Sequence, residues 1–202
     1  METAAEVVNT ALSFIGSKSF ILDLNEESLE AVVGKLHYEP TFREVLGERW
    51  WNFAEAEAVL ARLTVTGSGY SYAYALPSDV LPGKTRYVYS GAREGLTPSK
   101  NRVPFAIRFI AGEGQCLLTD HEAPTLFYTR QVDELVYWPE AAAMALAWLL
   151  APKLALGIKV DLRAGINFAQ QYEMQLQKAM AEDMNSVRRD AELQSAYQRV
   201  RG

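Results

Sequence analysis

Apolar residues in this chain change their period twice. They recur every three or four positions up to about residue 60 and again from about 138, and every second position in between. The first spacing is that of a helix with one buried face, and the second that of a half-buried strand. A chain whose two ends share one period and whose middle carries another is confined to a mixed fold. The simplest arrangement packs the helical ends together and inserts the β segment between them. The expectation is therefore α+β: an α-helical bundle from residues 1–56 and 138–184, a small antiparallel β unit at 57–137, and an extended C-terminal tail at 185–202.

Local signals sharpen the elements. Thr3-Ala4-Ala5-Glu6 has the form of a capping box, with Val7, Val8, Ala11, Leu12 and Ile15 at helical spacing and Gly16 as a stop. Asn25 suits the N-cap of a second helix, with Leu29, Val32, Val33 and Leu36 lining one face, Pro40 as a kink or restart, and Phe42, Val45, Leu46 and Trp50 continuing the apolar stripe. Trp51-Asn52-Phe53-Ala54 closes that stretch as a hinge to the β unit. Strands are expected at Thr64–Thr66, Tyr70–Tyr74, Arg86–Tyr89, Phe105–Ile110, Gln115–Leu118 and Thr125–Arg130, with turns at Leu76–Asp79 and Gly112–Gly114. Residues 91–103 read as a long exposed loop. Pro139 fits the first turn of a helix that is apolar nearly all round, Ala141 to Leu156, ended by Gly157. A last helix is expected from near Asp161, with Phe168, Tyr172, Leu176 and Met180 spaced by four. From Asn185 the chain turns polar, as in a tail that one subunit does not bury.

Composition narrows the function. The chain has 202 residues and a formal net charge of −5, a poor match to a protein that grips phosphates. Its one cysteine, Cys116, excludes an internal disulfide and fits a reducing compartment; it reads as a small buried strand residue. The start, Met1 to Glu6, is acidic, and the apolar run Ala141 to Ala151 is too short to span a bilayer.

Few residues suggest chemistry. Asp120-His121-Glu122 is the most site-like cluster, but its place between a strand and Ala123-Pro124 reads as a turn. Gly67-Ser68-Gly69 and Gly112-Glu113-Gly114 do not lead from a strand into a helix, as a phosphate loop must. Glu55 and Glu57 read as solvated residues at a helix end. We expect no catalytic residue, cofactor or metal. The aromatic residues offer surface instead: Tyr70, Tyr72 and Tyr74 share a strand face that either packs inward or meets a neighbour.

Several short strings, in order, resemble the tail tubular protein A family, the head-to-tail adaptors of short-tailed phages. They are Ala11-Leu12-Ser13-Phe14-Ile15-Gly16, Phe42-Arg43-Glu44-Val45-Leu46, Trp51-Asn52-Phe53-Ala54, Tyr72 through Leu81, Leu117-Leu118-Thr119-Asp120 and Leu126 through Val132, followed by the apolar and final helices. The resemblance covers about residues 5–182. It implies a virion structural protein at the head–tail junction, assembled in the host cytoplasm and without catalytic residues. Subunits of such adaptors form a ring, typically of twelve, that joins the portal to the tail nozzle or tube while double-stranded DNA passes through the lumen. No membrane is involved. On that reading, Arg188, Arg189, Tyr197, Arg199 and Arg201 in the tail dock on the portal. Tyr70, Tyr72, Tyr74, Arg86, Lys100 and Arg102 face a neighbouring subunit or the next tail component. The alternatives are a carbohydrate-hydrolysing virion protein using Asp120, Glu122 or Glu55, and a free-standing oligomeric binding module.

Overall fold

The computed structural model of the chain describes residues 1–65, 69–90, 102–158 and 167–200, the side chains of 187–200 excepted. The described residues form an α+β protein with four α-helices, a short 3-10 turn and six strands in two antiparallel sheets. The chain separates into two compact units, Met1–Phe53 with Val132–Gly202, and Ala54–Gln131. The seams lie at 53/54 and 131/132 rather than 56/57 and 137/138. Strand pairing moves the first, because Glu55 already pairs with Thr129. Aromatic packing moves the second, because Trp138 lies against Phe42 and Phe53 at ring separations of 5.0 and 5.4 Å.

In the first unit, α1 (Ala4–Phe14) begins at Thr3, whose side chain accepts from the Glu6 amide. The reciprocal arm of the expected capping box lands elsewhere: the Glu6 carboxylate accepts from the Glu2 amide at 2.7 Å. The helix ends in a Schellman motif. Gly16, at φ 72°, donates to the Ser13 carbonyl and Ser17 to that of Leu12, at 3.1 and 3.0 Å. Helix α2 (Leu29–Gly47) is capped by Ser28, not Asn25; Asn25 instead bonds the Asp23 carboxylate. It runs as one helix through Pro40. Helix α3 (Glu140–Ile158) follows the 3-10 turn Leu135–Tyr137 and is capped by the Pro139 carbonyl, which accepts from Ala142 and Ala143.

By length and composition α3 could cross a membrane, being 19 residues long where the apolar run suggested fewer. It is instead the core of this unit, with α1, α2 and α4 (Phe168–Val200) each packed on it. Ala142, Leu146, Leu150 and Leu154 are sealed from solvent. Gly157 lies inside α3 rather than ending it, and it permits a close approach: a Cβ there would sit 2.4 Å from Val33 Cγ1.

In the second unit, one sheet has the order β1 (Glu55–Val59), β6 (Thr125–Arg130), β3 (Val80–Tyr89), and the other β2 (Tyr72–Ala75), β5 (Gly114–Thr119), β4 (Ala106–Ile110). The β4–β5 hairpin turns at Gly112–Gly114 and β6 spans Thr125–Arg130, as expected. Strand β1 corrects the sequence reading, which placed Glu55 and Glu57 at a helix end. Its alternating exposure is that of an edge strand with its charges turned out. Thr64 and Val65 lie in a bend rather than a strand, and the Arg86–Tyr89 strand extends back to Val80. Tyr74 and Leu117 from one sheet and Val88, Leu126 and Tyr128 from the other meet in one core.

Candidate functional site

The Asp120-His121-Glu122 cluster is a brace for β2. Asp120 Oδ1 accepts from the Ser71 amide and hydroxyl at 2.8 and 2.9 Å. The Tyr72 hydroxyl donates to Glu122 at 2.8 Å, and the Tyr74 hydroxyl to the His121 carbonyl at 3.0 Å. Three consecutive turn residues thus hold the start of one strand. The Ser71 bonds keep the Asp120 carboxyl below its usual range, and the Glu122 bond raises the Tyr72 hydroxyl. Glu55, the remaining carboxylate with a sequence-level case for chemistry, pairs with Arg86. Among the described residues, no three His, Cys, Asp or Glu side chains are gathered to hold a metal. Cys116 is a buried residue of β5 whose thiol is pushed up by burial.

The expected tyrosine face divides. Tyr74 is buried in the sheet core, Tyr72 half-buried with its ring 6.4 Å from that of Tyr74, and Tyr70 precedes the strand rather than lying on it. The Arg62 guanidinium covers the Tyr72 ring at 4.5 Å. Arg86 is inside as well: it pairs with Glu55 and donates to the Thr129 hydroxyl at 3.1 Å, so it offers no surface. Arg102 is exposed and lies over the Tyr87 ring at 4.3 Å. Burial and then the Glu55 charge push the Tyr87 hydroxyl to about 12. Lys100 and Arg201 lie outside the described residues, as do the side chains of Arg188, Arg189, Tyr197 and Arg199.

The Trp51-Asn52-Phe53 string, at the end of the first unit's N-terminal segment, is held fast within that unit. Trp51 is fully buried and its indole donates to the Val45 carbonyl at 2.9 Å. Asp183 of α4, 3% exposed, accepts from the amides of Asn52 and Phe53 and from the Asn52 side chain. Asn52 Nδ2 also reaches the Asp183 carbonyl at 3.0 Å. Sequence spacing gave no hint of this contact between positions 131 residues apart.

A second feature escaped the sequence reading. The residues expected to line one face of α2 divide: Val33 is buried, while Leu29, Val32 and Leu36 are 56%, 56% and 66% exposed. The buried face of α2 carries Ala31, Val33 and Gly34 and continues through Phe42, Val45 and Leu46. Helical spacing shows that a face exists; with apolar residues on two sides of α2, the partners decide which is buried. Gly34 meets α1 at Val8, and Val33 meets α3 at Gly157, which leaves the other side out. Just before α2, Phe20 and Leu22 are 58% and 94% exposed while Ile21 between them is buried.

Helix α4 is long for its surroundings. At about 1.5 Å per residue its 33 residues span about 50 Å, against about 28 Å for the 19 of α3. Among its described side chains, Leu176, Ala179 and Asp183 are buried. A scan against models of known protein families finds no match to this chain, and neither does a search of curated proteins.

Proposed function

We propose that this chain is a head-to-tail adaptor of a tailed phage: a virion structural protein that forms a ring, joins the portal to the tail nozzle or tube, and lets DNA pass. In this reading α1–α4 are one helical bundle, with the β unit inserted and the α4 end serving as the docking tail. The observation that carries the proposal is the ordered set of short strings that resemble those of the tail tubular protein A family. The geometry is compatible with it, because those motifs are packing devices. Trp51-Asn52-Phe53 holds α4, Tyr72 and Tyr74 tie β2 to Asp120–Glu122, and Leu126–Arg130 is the central strand of its sheet.

The charge suits the role. Twelve copies at −5 each carry about −60, and a lumen sharing that sign repels phosphate and lets DNA slide. A ring needs two different complementary patches per subunit. The arginines of residues 185–202 suit a polar or acidic groove on the portal. The test is truncation after Met184. Purified portal protein is expected to capture the full chain and to lose most of its affinity for the truncated one; unchanged affinity would refute the docking role of the tail.

A further inference from the structure

The four sheet edges of the β unit are not alike. The edge at β2 is covered by the chain leaving β1: Leu63 donates to the Ala73 carbonyl at 2.8 Å, and Ala75 to that of Ala61 at 3.0 Å. The edge at β3 is met near its end, where Arg102 bridges Tyr89 and the Val103 amide donates to the Val88 carbonyl at 3.0 Å. Among the described residues, β1 and β4 each pair on one side only, with β6 and with β5. Beside β4 lies a cavity of about 480 Å³, lined by Val80, Pro82, Gly83 and Thr85 of β3 and by Ile107, so β3 does not close on β4 there. An edge strand left in this way presents backbone donors and acceptors to another chain.

The two open edges match each other. Each strand is five residues long and carries a charge on its middle residue: Glu57 in β1 and Arg108 in β4, both exposed. Glu55, on the same face of β1, pairs with Arg86 within the copy. At full overlap, β1 against β4 sets Glu57 opposite Arg108 whether the strands run parallel or antiparallel. Two copies of β1 would oppose Glu57 to Glu57, and two of β4 Arg108 to Arg108, and like charges directly opposite destabilise a pair. Charge therefore selects the unlike edges. The apolar side chains agree. Among the described large apolar side chains of the β unit, the exposed ones are Val59 and Phe109, at 74% and 76%, one on each of these strands. Ala56 and Ala58 lie on the core side of β1, and Phe109 shares the core side of β4 with Ile107. In the unlike pairing Phe109 falls opposite one of those alanines, and Val59 opposite Ala106 or Ile110.

We infer that β1 of one copy pairs with β4 of a second, so that the β1–β6–β3 sheet of one continues into the β2–β5–β4 sheet of the other. The two edges differ, so the contact is heterologous, the kind from which rings are built, and each subunit gives one edge and receives on the other. The inference deepens the adaptor reading, on which its place in a ring rests; the contact itself is testable on the chain alone.

The test exchanges the charges in full-length chains. Arg108→Glu sets Glu57 against a glutamate, and Glu57→Arg sets Arg108 against an arginine; both positions are exposed, so the fold is retained. In sedimentation velocity the parent chain is expected to self-associate with rising concentration, and each variant alone to weaken that association by about tenfold or more. Mixed in equal amounts, the two variants should associate as the parent does, because each edge again meets the opposite charge. The chain carrying both exchanges should do the same on its own. A parent chain monomeric at all concentrations, a single variant that associates like the parent, or a mixture or double variant as weak as the single variants would each overturn the inference. A monomeric chain that portal nonetheless gathers into a ring would overturn this contact and leave the adaptor reading standing. Self-association that follows the charges, without portal capture, would do the reverse.

Discussion

Replacing Asp183 by alanine should loosen the helical unit by a calculable amount. The carboxylate is 3% exposed and accepts from the Asn52 amide at 2.9 Å, the Asn52 side chain at 3.0 Å and the Phe53 amide at 3.3 Å. Hydrogen bonds to a charged group contribute about 1.5–3 kcal/mol each when buried. Asn52 is itself exposed, so water recovers part of that loss after the substitution. The expected cost is about 2–3 kcal/mol. For a chain of 202 residues that corresponds to a fall in Tm of about 5–10 °C. The assay is built in, since Trp50, Trp51, Trp138 and Trp148 all belong to the unit Met1–Phe53 with Val132–Gly202. Urea unfolding followed by tryptophan fluorescence therefore reports on this unit and not on the β unit. Asp183→Asn should cost nearly as much, because its amide turns donors toward donors. Asn52→Ala should cost about 1 kcal/mol, with a coupling to Asp183 of similar size in a double-mutant cycle. A loss below about 0.5 kcal/mol for Asp183→Ala would refute the reasoning.

Three further outcomes follow from the packing and the titrating groups. Gly157→Ala should destabilise by about 1–2 kcal/mol, since the clash with Val33 outweighs the helical gain of leaving glycine; in a Val33→Ala background the same change should be neutral or stabilising by thermal melt. Tyr128, raised by burial and its bond to Asp79, and Tyr87 both ionise at about 12 against 10 in the unfolded chain. The unfolded state loses those protons first, so β-unit stability should be full below pH 10 and fall as pH rises towards 12, read by tyrosinate absorbance. Asp120 titrates below 3.8, so its contribution is present above that pH and is lost as pH falls through the lowered value. Asp120→Ala should speed hydrogen exchange at the Ser71 amide, and unchanged exchange would dismiss the brace.

What the sequence disclosed was local. The change of period, the Gly16 stop, the Gly112–Gly114 hairpin and the bounds of β6 are written in neighbouring residues, and the structure returns them. Strand β1 was missed because alternating Glu and Ala carry no apolar signal, and its pairing with β6 is what makes it a strand. On α2 the sequence placed Val33 with Leu29, Val32 and Leu36, and only Val33 is buried, because the choice between two apolar sides is made by Val8 and Gly157, far away in the chain. The same limit hid Asp183. The Asp120–Glu122 cluster was visible, but its role was not, because its partners Ser71, Tyr72 and Tyr74 lie some fifty residues upstream.

The proposal of an adaptor meets its most direct test in electron microscopy of the purified chain mixed with purified portal protein. The account predicts a ring of this chain seated coaxially on the portal, with the channel open for DNA. Portal particles bare of added density, with the chain left free in solution, would contradict it.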